Sequence, residues 1–190
     1  MFLSTERTEI RPFLQQDLDN LMRLCANDEA MKYIPPHFHA ESKDQVAERL
    51  DNYINHQDQY GISFGAVFSK QGNFIGRAGF YFVPEVNMYE VGYSLLPEYW
   101  GQGIATEILD SLLDYAFNKL NLDSVCARTI EGNSHSEHIL QKAGFTYLGE
   151  RAFVVKDRIF FWHYYEHQNE ENLNLADAFD NSSDDWDILL

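Results

Sequence analysis

The chain has few cysteines, few basic residues and no long apolar run. It contains two cysteines, Cys25 and Cys126, and 14 Lys and Arg residues against 30 Asp and Glu. Two cysteines so far apart argue against a disulfide framework and against a zinc site, and we predict no metal site. No window approaches the roughly eighteen apolar residues of a membrane span, and the first residues lack the pattern of a signal peptide. We therefore expect a cytoplasmic protein with no membrane partner.

The formal net charge of −16 argues against nucleic acid as a partner and makes a cationic substrate easier to accommodate, although solubility alone is the safer explanation of the charge. The charge is uneven, because the segment from 166 to 190 carries eight acidic residues and no Lys or Arg. With 190 residues, of which 45% are apolar, the chain is long enough for one packed domain. We predict that this domain covers residues 1–166 and that residues 167–190 form an acidic C-terminal tail.

Hydrophobic periodicity predicts a domain of the mixed α/β (α+β) class. An antiparallel β-meander of three strands leads into the glycine loop, which is followed by a helix and a further strand. Helices are expected after Asp17, from Ser42 to Tyr60, after Gly103, and from Asn133 to Lys142. The expected strands cover residues 8–13, 61–68, 74–83, 88–96, 123–129, 145–149 and 158–166.

The most informative segment is the junction Gly101-Gln102-Gly103, which joins a predicted strand to a predicted helix. Glycines at such a junction permit positive φ angles, and the first N–H groups of the following helix attract an anion. A P-loop would require a lysine after the second glycine, where Ile104 stands. A dinucleotide-binding loop would carry Gly-x-Gly-x-x-Gly in a leading βαβ unit, whereas this loop follows a β-meander. The junction therefore predicts a phosphate site of a different kind.

The run from Tyr89 to Phe145 resembles the GNAT superfamily of acetyl-CoA-dependent N-acetyltransferases. The opening 5–13 resembles the branch that contains ribosomal-protein N-terminal acetyltransferases, and the whole resemblance covers roughly residues 4–166. Its motifs occur in order: the strand Glu90-Val91-Gly92-Tyr93-Ser94-Leu95-Leu96-Pro97, the loop Trp100-Gly101-Gln102-Gly103-Ile104-Ala105, the turn Asn133-x-x-Ser136 and the segment Lys142-Ala143-Gly144-Phe145.

This resemblance implies a central, mostly antiparallel sheet with helices on both faces. Two central strands, 89–96 and 124–129, would splay apart to admit the pantetheine arm of acetyl-CoA, the co-substrate. Asn133 would bind that arm, and the N–H of Leu95 or Leu96 would stabilise the developing oxyanion. The pyrophosphate would lie on the backbone N–H groups of Gln102, Gly103, Ile104, Ala105 and Thr106.

For catalysis, the resemblance points to Glu90 as the base that relays a proton through water. The alternative for Glu90 is a cross-strand charge partner or a solvated carboxylate. Leu140 stands where many members of the superfamily have a tyrosine that protonates the departing thiolate. Ser136 could assist in its place, although an ordinary serine at a helix terminus explains it equally well.

The predicted function is transfer of an acetyl group to an amine, with a protein N-terminus as the leading acceptor. A small amine, such as a polyamine, an amino sugar or an antibiotic, is the alternative, and a non-catalytic acyl-CoA-binding module is a third hypothesis. We expect the acceptor pocket to come from the loop 33–39, the second helix, and the segments 80–82 and 160–162. Aromatic and acidic side chains there could hold a cationic amine, although core packing explains most of them. The protein is expected to be a monomer or a homodimer.

Overall fold

A computed structural model describes residues 3–34, 39, 42–84, 87–155 and 157–169. Within these residues the chain forms eight strands and five α-helices. The strands are β1 (Leu3–Ser4), β2 (Thr8–Pro12), β3 (Phe64–Ser69), β4 (Phe74–Val83), β5 (Met88–Leu95), β6 (Ser124–Ile130), β7 (Thr146–Val155) and β8 (Arg158–Gln168). The helices are α1 (Leu18–Cys25), α2 (Asp28–Met31), α3 (Lys43–Tyr60), α4 (Ile104–Asn118) and α5 (Ser134–Lys142).

The eight strands form one sheet in the order β1-β2-β3-β4-β5-β6-β8-β7. All neighbouring strands are antiparallel except β5 and β6, which are parallel. A parallel pair requires a crossover connection, which α4 provides. The predicted mixed fold with a mostly antiparallel sheet is confirmed.

Helices cover both faces of the sheet, as expected. On one face, α1 and α3 bury Leu21, Leu24 and Leu50 against Phe64 and Phe74. On the other face, α4 packs against the sheet residues Val67, Ile75 and Phe80 through its own buried stripe of Ile108, Leu109 and Leu112. Each such leucine or isoleucine contributes about 1.5–3 kcal/mol when fully buried, so the helices are firmly attached to the sheet.

Most predicted boundaries are met within two residues, and the exceptions have local causes. The strand expected at 61–68 begins at Phe64, because Gly61 adopts φ 72° and ends α3. The strand expected at 145–149 continues to Val155. A register shift between Tyr147 and Gly149 keeps it paired with β8, so this glycine marks a bulge instead of the strand end. The short elements β1 and α2 were not predicted.

The last strand also extends past the predicted domain boundary at 166, since β8 ends at Gln168. Residues 170–190 lie outside the described residues, so the acidic tail stays a prediction. Residues 35–38 of the aromatic loop also lie outside them. None of the described helices combines the length and apolar character needed to cross a membrane.

Candidate active site

The centre of the molecule is the gap between β5 and β6. The two parallel strands pair at one position, Glu90 with Cys126, and then separate as they run on to Leu95 and Ile130. A cavity passes through this gap. Side chains alternate along a strand, so Glu90 and Gly92 line it on the α3 side and Val91 and Tyr93 on the α4 side. The splay that the resemblance implied is therefore present.

The glycine loop follows the end of β5, where Trp100 contacts the Leu95 carbonyl. Gly101 and Gly103 have φ angles of 70° and 76°, and Gly103 is the N-cap of α4 without any side-chain cap. The first N–H groups of a helix have no partner within the helix, and here the 15-residue α4 adds its positive dipole end. The loop and the first turn of α4 are thus built to receive an anion, in the segment where the sequence predicted the pyrophosphate site.

Side chains distant in sequence hold this loop in place. Arg7 Nη1 donates to the carbonyl oxygen of Gln102 at 2.5 Å, and Arg7 Nε pairs with Glu107 Oε2 at 2.5 Å. The Trp100 indole N–H donates to the carbonyl of Leu95 at 2.8 Å. These three contacts connect the loop to the N-terminal segment, to α4 and to the end of β5. Sequence analysis did not identify Arg7.

The structure distinguishes the two N–H groups proposed for the oxyanion. The Leu96 N–H donates to the carbonyl of Ile75 at 2.8 Å, so β4 already occupies it. Backbone N–H groups point alternately to the two sides of a strand, which directs the N–H of Leu95 towards β6 and the gap. The Leu95 carbonyl, which points to the same side, is the one that Trp100 binds. Leu95 is therefore the better candidate of the two.

On the α4 side of the gap, three polar side chains from β5 and α5 meet. Asn133 Oδ1 accepts the N–H of Ser136 at 3.3 Å and caps α5, while its amide N–H groups make no hydrogen bond within the described residues. Capping and cofactor binding are thus compatible. The Ser136 hydroxyl lies 3.2 Å from the Tyr93 hydroxyl, and both line the cavity together with Leu140.

Sequence analysis missed Tyr93 as a functional residue. Burial raises the pKa of Tyr93, and the hydrogen bond to Ser136 opposes this effect without reversing it. The phenol therefore stays protonated near neutral pH. It can donate a proton on the side of the gap that Leu140 lines, where the leucine itself has no proton to give. Strand alternation could have revealed Tyr93. It lies three residues after Glu90, so its side chain points to the opposite face of the sheet, which is the face where Ser136 lies.

On the α3 side, Glu90 is held in a buried ion pair with Arg128. Arg128 Nε lies 2.8 Å from Glu90 Oε2, and Arg128 Nη2 lies 2.7 Å from the same oxygen. The Arg128 side chain is 1% exposed and the Glu90 side chain is 6% exposed. The guanidinium also lies 4.9 Å from the ring centre of Trp162. Glu90 Oε1 accepts no hydrogen bond from the described residues and Glu90 lines the cavity. The cross-strand charge pair is therefore real, and one carboxylate oxygen stays open for a proton.

The acceptor side differs in charge from what was expected. The cavity does take side chains from the loop at Tyr33, from α3 at Tyr53 and from β8 at Trp162. Segment 80–82 is not among the residues that line it, and Phe80 is instead fully buried under α4. Among the described lining residues, one carboxylate accompanies three guanidinium groups, those of Arg49, Arg77 and Arg128. An acidic pocket for a cationic amine was therefore the wrong expectation for this part of the chain.

Comparison with known proteins agrees with this geometry. The family model described as "Acetyltransferase (GNAT) domain" matches residues 7–146. The protein named "Uncharacterized N-acetyltransferase YoaA" of Bacillus subtilis (strain 168) is 28% identical over 145 residues, which are 75% of this chain and 81% of YoaA. The spermidine N(1)-acetyltransferase of Escherichia coli (strain K12) is 30% identical over 152 residues, 77% of each chain. The ribosomal-protein-S5-alanine acetyltransferase of Vibrio fischeri superposes with a TM-score of 0.75 at 20% identity, over 90% of this chain and 98% of that chain. The chain therefore belongs to the GNAT acetyltransferase family and is an acyltransferase.

Proposed function

We propose that this protein transfers the acetyl group of acetyl-CoA to an α-amino group, above all the N-terminal amine of a protein or peptide. The observation that carries the proposal is the cavity between β5 and β6. It reaches Tyr93, Ser136 and Asn133 on one face of the sheet and Glu90 with Arg128 on the other. A donor and an acceptor can therefore meet in it from opposite faces.

The donor side suits a long ligand with a phosphorylated end. Unpaired N–H groups along β5 would bind the pantetheine amides, as another strand would. The amide of Asn133 adds a donor at the far side of the gap. The positive-φ glycines and the N-terminus of α4 would hold the pyrophosphate, with Gln102, Gly103, Ile104, Ala105 and Thr106 supplying N–H groups.

We assign one group near the gap to each step of the transfer. The N–H of Leu95 would stabilise the negative charge that develops on the thioester oxygen when the amine nitrogen attacks the carbonyl carbon. As the carbon–sulfur bond breaks, the Tyr93 hydroxyl would protonate the departing thiolate, with Ser136 beside it. Glu90 Oε1 would accept the proton that the amine loses, directly or through one water.

The state of Glu90 favours an α-amine as the acceptor. An ordinary primary amine has a pKa near 10.4, whereas an α-amino group has one near 7.7–8.0 and is already partly unprotonated at neutral pH. Glu90 has one oxygen committed to Arg128, which leaves a single oxygen for base catalysis. A substrate that requires little help from a base fits this arrangement best.

The charge of the pocket weighs against a polyamine acceptor. The Escherichia coli relative carries the name of a spermidine acetyltransferase, but here the described lining has three arginines and one carboxylate. Like charges would repel a polycation in a partly buried cavity. The non-catalytic alternative is also less favoured, because Tyr93 supplies the proton donor that Leu140 cannot.

An acceptor screen tests the proposal. The full chain would be incubated with acetyl-CoA and a panel of amidated peptides, Nα-acetylated lysine peptides, spermidine, an amino sugar and an aminoglycoside, with thiol release and product mass recorded. We expect the highest kcat/KM for free α-amines. Transfer to the small amines alone would refute the proposed acceptor, and binding of acetyl-CoA without any transfer would support the non-catalytic module.

A further inference from the structure

Arg77 on β4 lies beside the predicted reaction centre. It is the cross-strand partner of Ser94 on β5, and neighbouring strands are about 4.8 Å apart. Ser94 precedes Leu95, whose N–H faces the gap. Arg77 lines the cavity on the α3 side, where the acceptor is proposed to enter. Any group attached close to the reacting amine would therefore come within reach of this side chain.

The guanidinium of Arg77 is oriented but has no anionic partner among the described residues. Its Nη1 donates to the Tyr53 hydroxyl, and its charge lies 4.6 Å from the ring centre of Phe64 and 5.6 Å from that of Tyr53. No carboxylate in the described part of the chain forms an ion pair with it, and Nε and Nη2 have no hydrogen-bond partner there. An arginine fixed on two aromatic rings with open N–H groups is preorganised for a planar anion.

A second unsatisfied donor lies across the gap. Trp162 is 4% exposed and lines the same cavity, and its buried indole N–H lacks a partner among the described residues. Arginine and tryptophan side chains donate hydrogen bonds but accept none. The acceptor side thus contains more donors than acceptors, and a ligand rich in oxygen would correct this imbalance.

The charge balance points in the same direction. Arg128 neutralises Glu90, the carboxylate among the described lining residues, so the positive charge of Arg77 has no compensating carboxylate there. This positive site lies in a chain with a formal net charge of −16. A local field of the opposite sign to that of the whole chain selects anionic groups at the site.

We propose that Arg77 is the specificity residue of an anion subsite, and that the preferred acceptors carry a carboxylate next to the α-amine. The carboxylate could be the side chain of an acidic first residue in a peptide or the α-carboxylate of a free amino acid, since both offer two oxygens to the open edge of the guanidinium. This inference rests on the proposed transfer to α-amines and specifies their class.

The test compares two matched substrate pairs. Glu-Ala-Ala-Ala amide and Gln-Ala-Ala-Ala amide differ by a side-chain carboxylate alone, whereas glutamine and glutamine amide differ by the α-carboxylate. For each, kcat/KM would be measured with saturating acetyl-CoA. We expect a preference of about 10- to 100-fold for the carboxylate in at least one pair, because hydrogen bonds to charged groups have this magnitude. The pair that shows it identifies the source of the carboxylate.

Three variants connect the preference to the residue. Arg77→Met should lower the ratio to about 1, and Arg77→Lys, which keeps the charge but loses the fork, should lower it at least 3-fold. Arg158→Met is the matched control, because Arg158 is exposed at the β7–β8 turn, and it should keep the wild-type ratio. If Arg77→Met does not fold, as judged by its melting temperature, the lysine variant alone decides.

The outcomes separate the two hypotheses. Acetylation of all four substrates with ratios near 1 would overturn the anion subsite and leave the proposed function intact. A wild-type preference that persists in the folded Arg77 variants would overturn the assignment to Arg77. No acetylation of any of the four would overturn the proposed function and this inference with it.

Discussion

Replacing Tyr93 by phenylalanine removes one oxygen atom from the α4 side of the gap. The ring stays, so the packing of β5 against α5 should change little. The lost hydroxyl is the group 3.2 Å from Ser136 Oγ and the proposed proton donor to the departing thiolate. The expected effect is thus on the chemical step and far less on the binding of acetyl-CoA.

The size of the effect follows from the role of a general acid, which accelerates a reaction about 10²- to 10⁴-fold. The Ser136 hydroxyl is close enough to replace part of the lost function, which places the expected loss at the lower end of this range. We expect kcat to fall about 100-fold, which corresponds to about 2.7 kcal/mol of transition-state stabilisation. KM for acetyl-CoA should stay within about 3-fold.

The pH dependence provides a sharper test. Burial raises the pKa of Tyr93, so in the wild type the phenol remains protonated throughout an assay range from pH 6 to about 10. A thiol has a pKa near 8.5, and a thiolate therefore leaves more easily without a proton as the pH rises above this value. The deficit of Tyr93→Phe should accordingly be largest at pH 6–7 and shrink above pH 9.

The assay is steady-state thiol release at saturating acceptor, with Tyr147→Phe as the control. Tyr147 is 47% exposed on β7 and does not line the cavity, so its variant should behave as the wild type. Thermal melting would show that Tyr93→Phe is folded. A folded variant whose kcat at pH 7 is within 2-fold of the wild type would refute the role of Tyr93.

Three further predictions address other parts of the molecule. Glu90→Gln should lower kcat at least 10-fold and change its pH profile, and an unchanged turnover and profile in steady-state assays would show that Glu90 is not the base. Arg7→Met should raise KM for acetyl-CoA about 2- to 10-fold with kcat nearly constant, because the partly exposed Arg7 side chain orients the glycine loop through Gln102. A constant KM would refute this role of Arg7. Burial lowers the pKa of His56, whose neutral ring accepts the N–H of Phe82 at Nε2. The contribution of His56 to the free energy of unfolding is therefore fully present above about pH 6.5 and is lost as the pH falls below this value. His56→Gln should therefore lose less stability than the wild type between pH 7 and pH 5 in urea unfolding, and equal losses would contradict the prediction.

Local patterns were sufficient to predict the elements that act through the backbone. The two glycines before α4 and the capping asparagine of α5 depend on φ angles and on helix-terminal N–H groups, which are properties of short segments. The observed φ angles at Gly101 and Gly103 and the cap at Asn133 agree with those patterns. The predicted end of β7 at Gly149 was wrong because the same residue type also permits a bulge inside a strand.

Groups that act through side-chain contacts could not be identified in the same way. The Glu90–Arg128 pair joins residues 38 positions apart, and the clamp between Arg7 and Glu107 joins residues 100 apart. Such pairs depend on strand order and register, which no local pattern contains.

The sequence alone thus predicted the glycine loop and the helix N-terminus that are proposed to hold the donor, since both are local features. Only the tertiary structure showed which side chains line the proposed acceptor side. The parallel alignment of β5 with β6 placed Arg128 against Glu90, and the antiparallel alignment of β4 with β5 placed Arg77 beside the gap. The local charge of a site depends on which side chains the fold brings together, and this is why, in a chain rich in acidic residues, the described residues that line the gap include three arginines and one carboxylate.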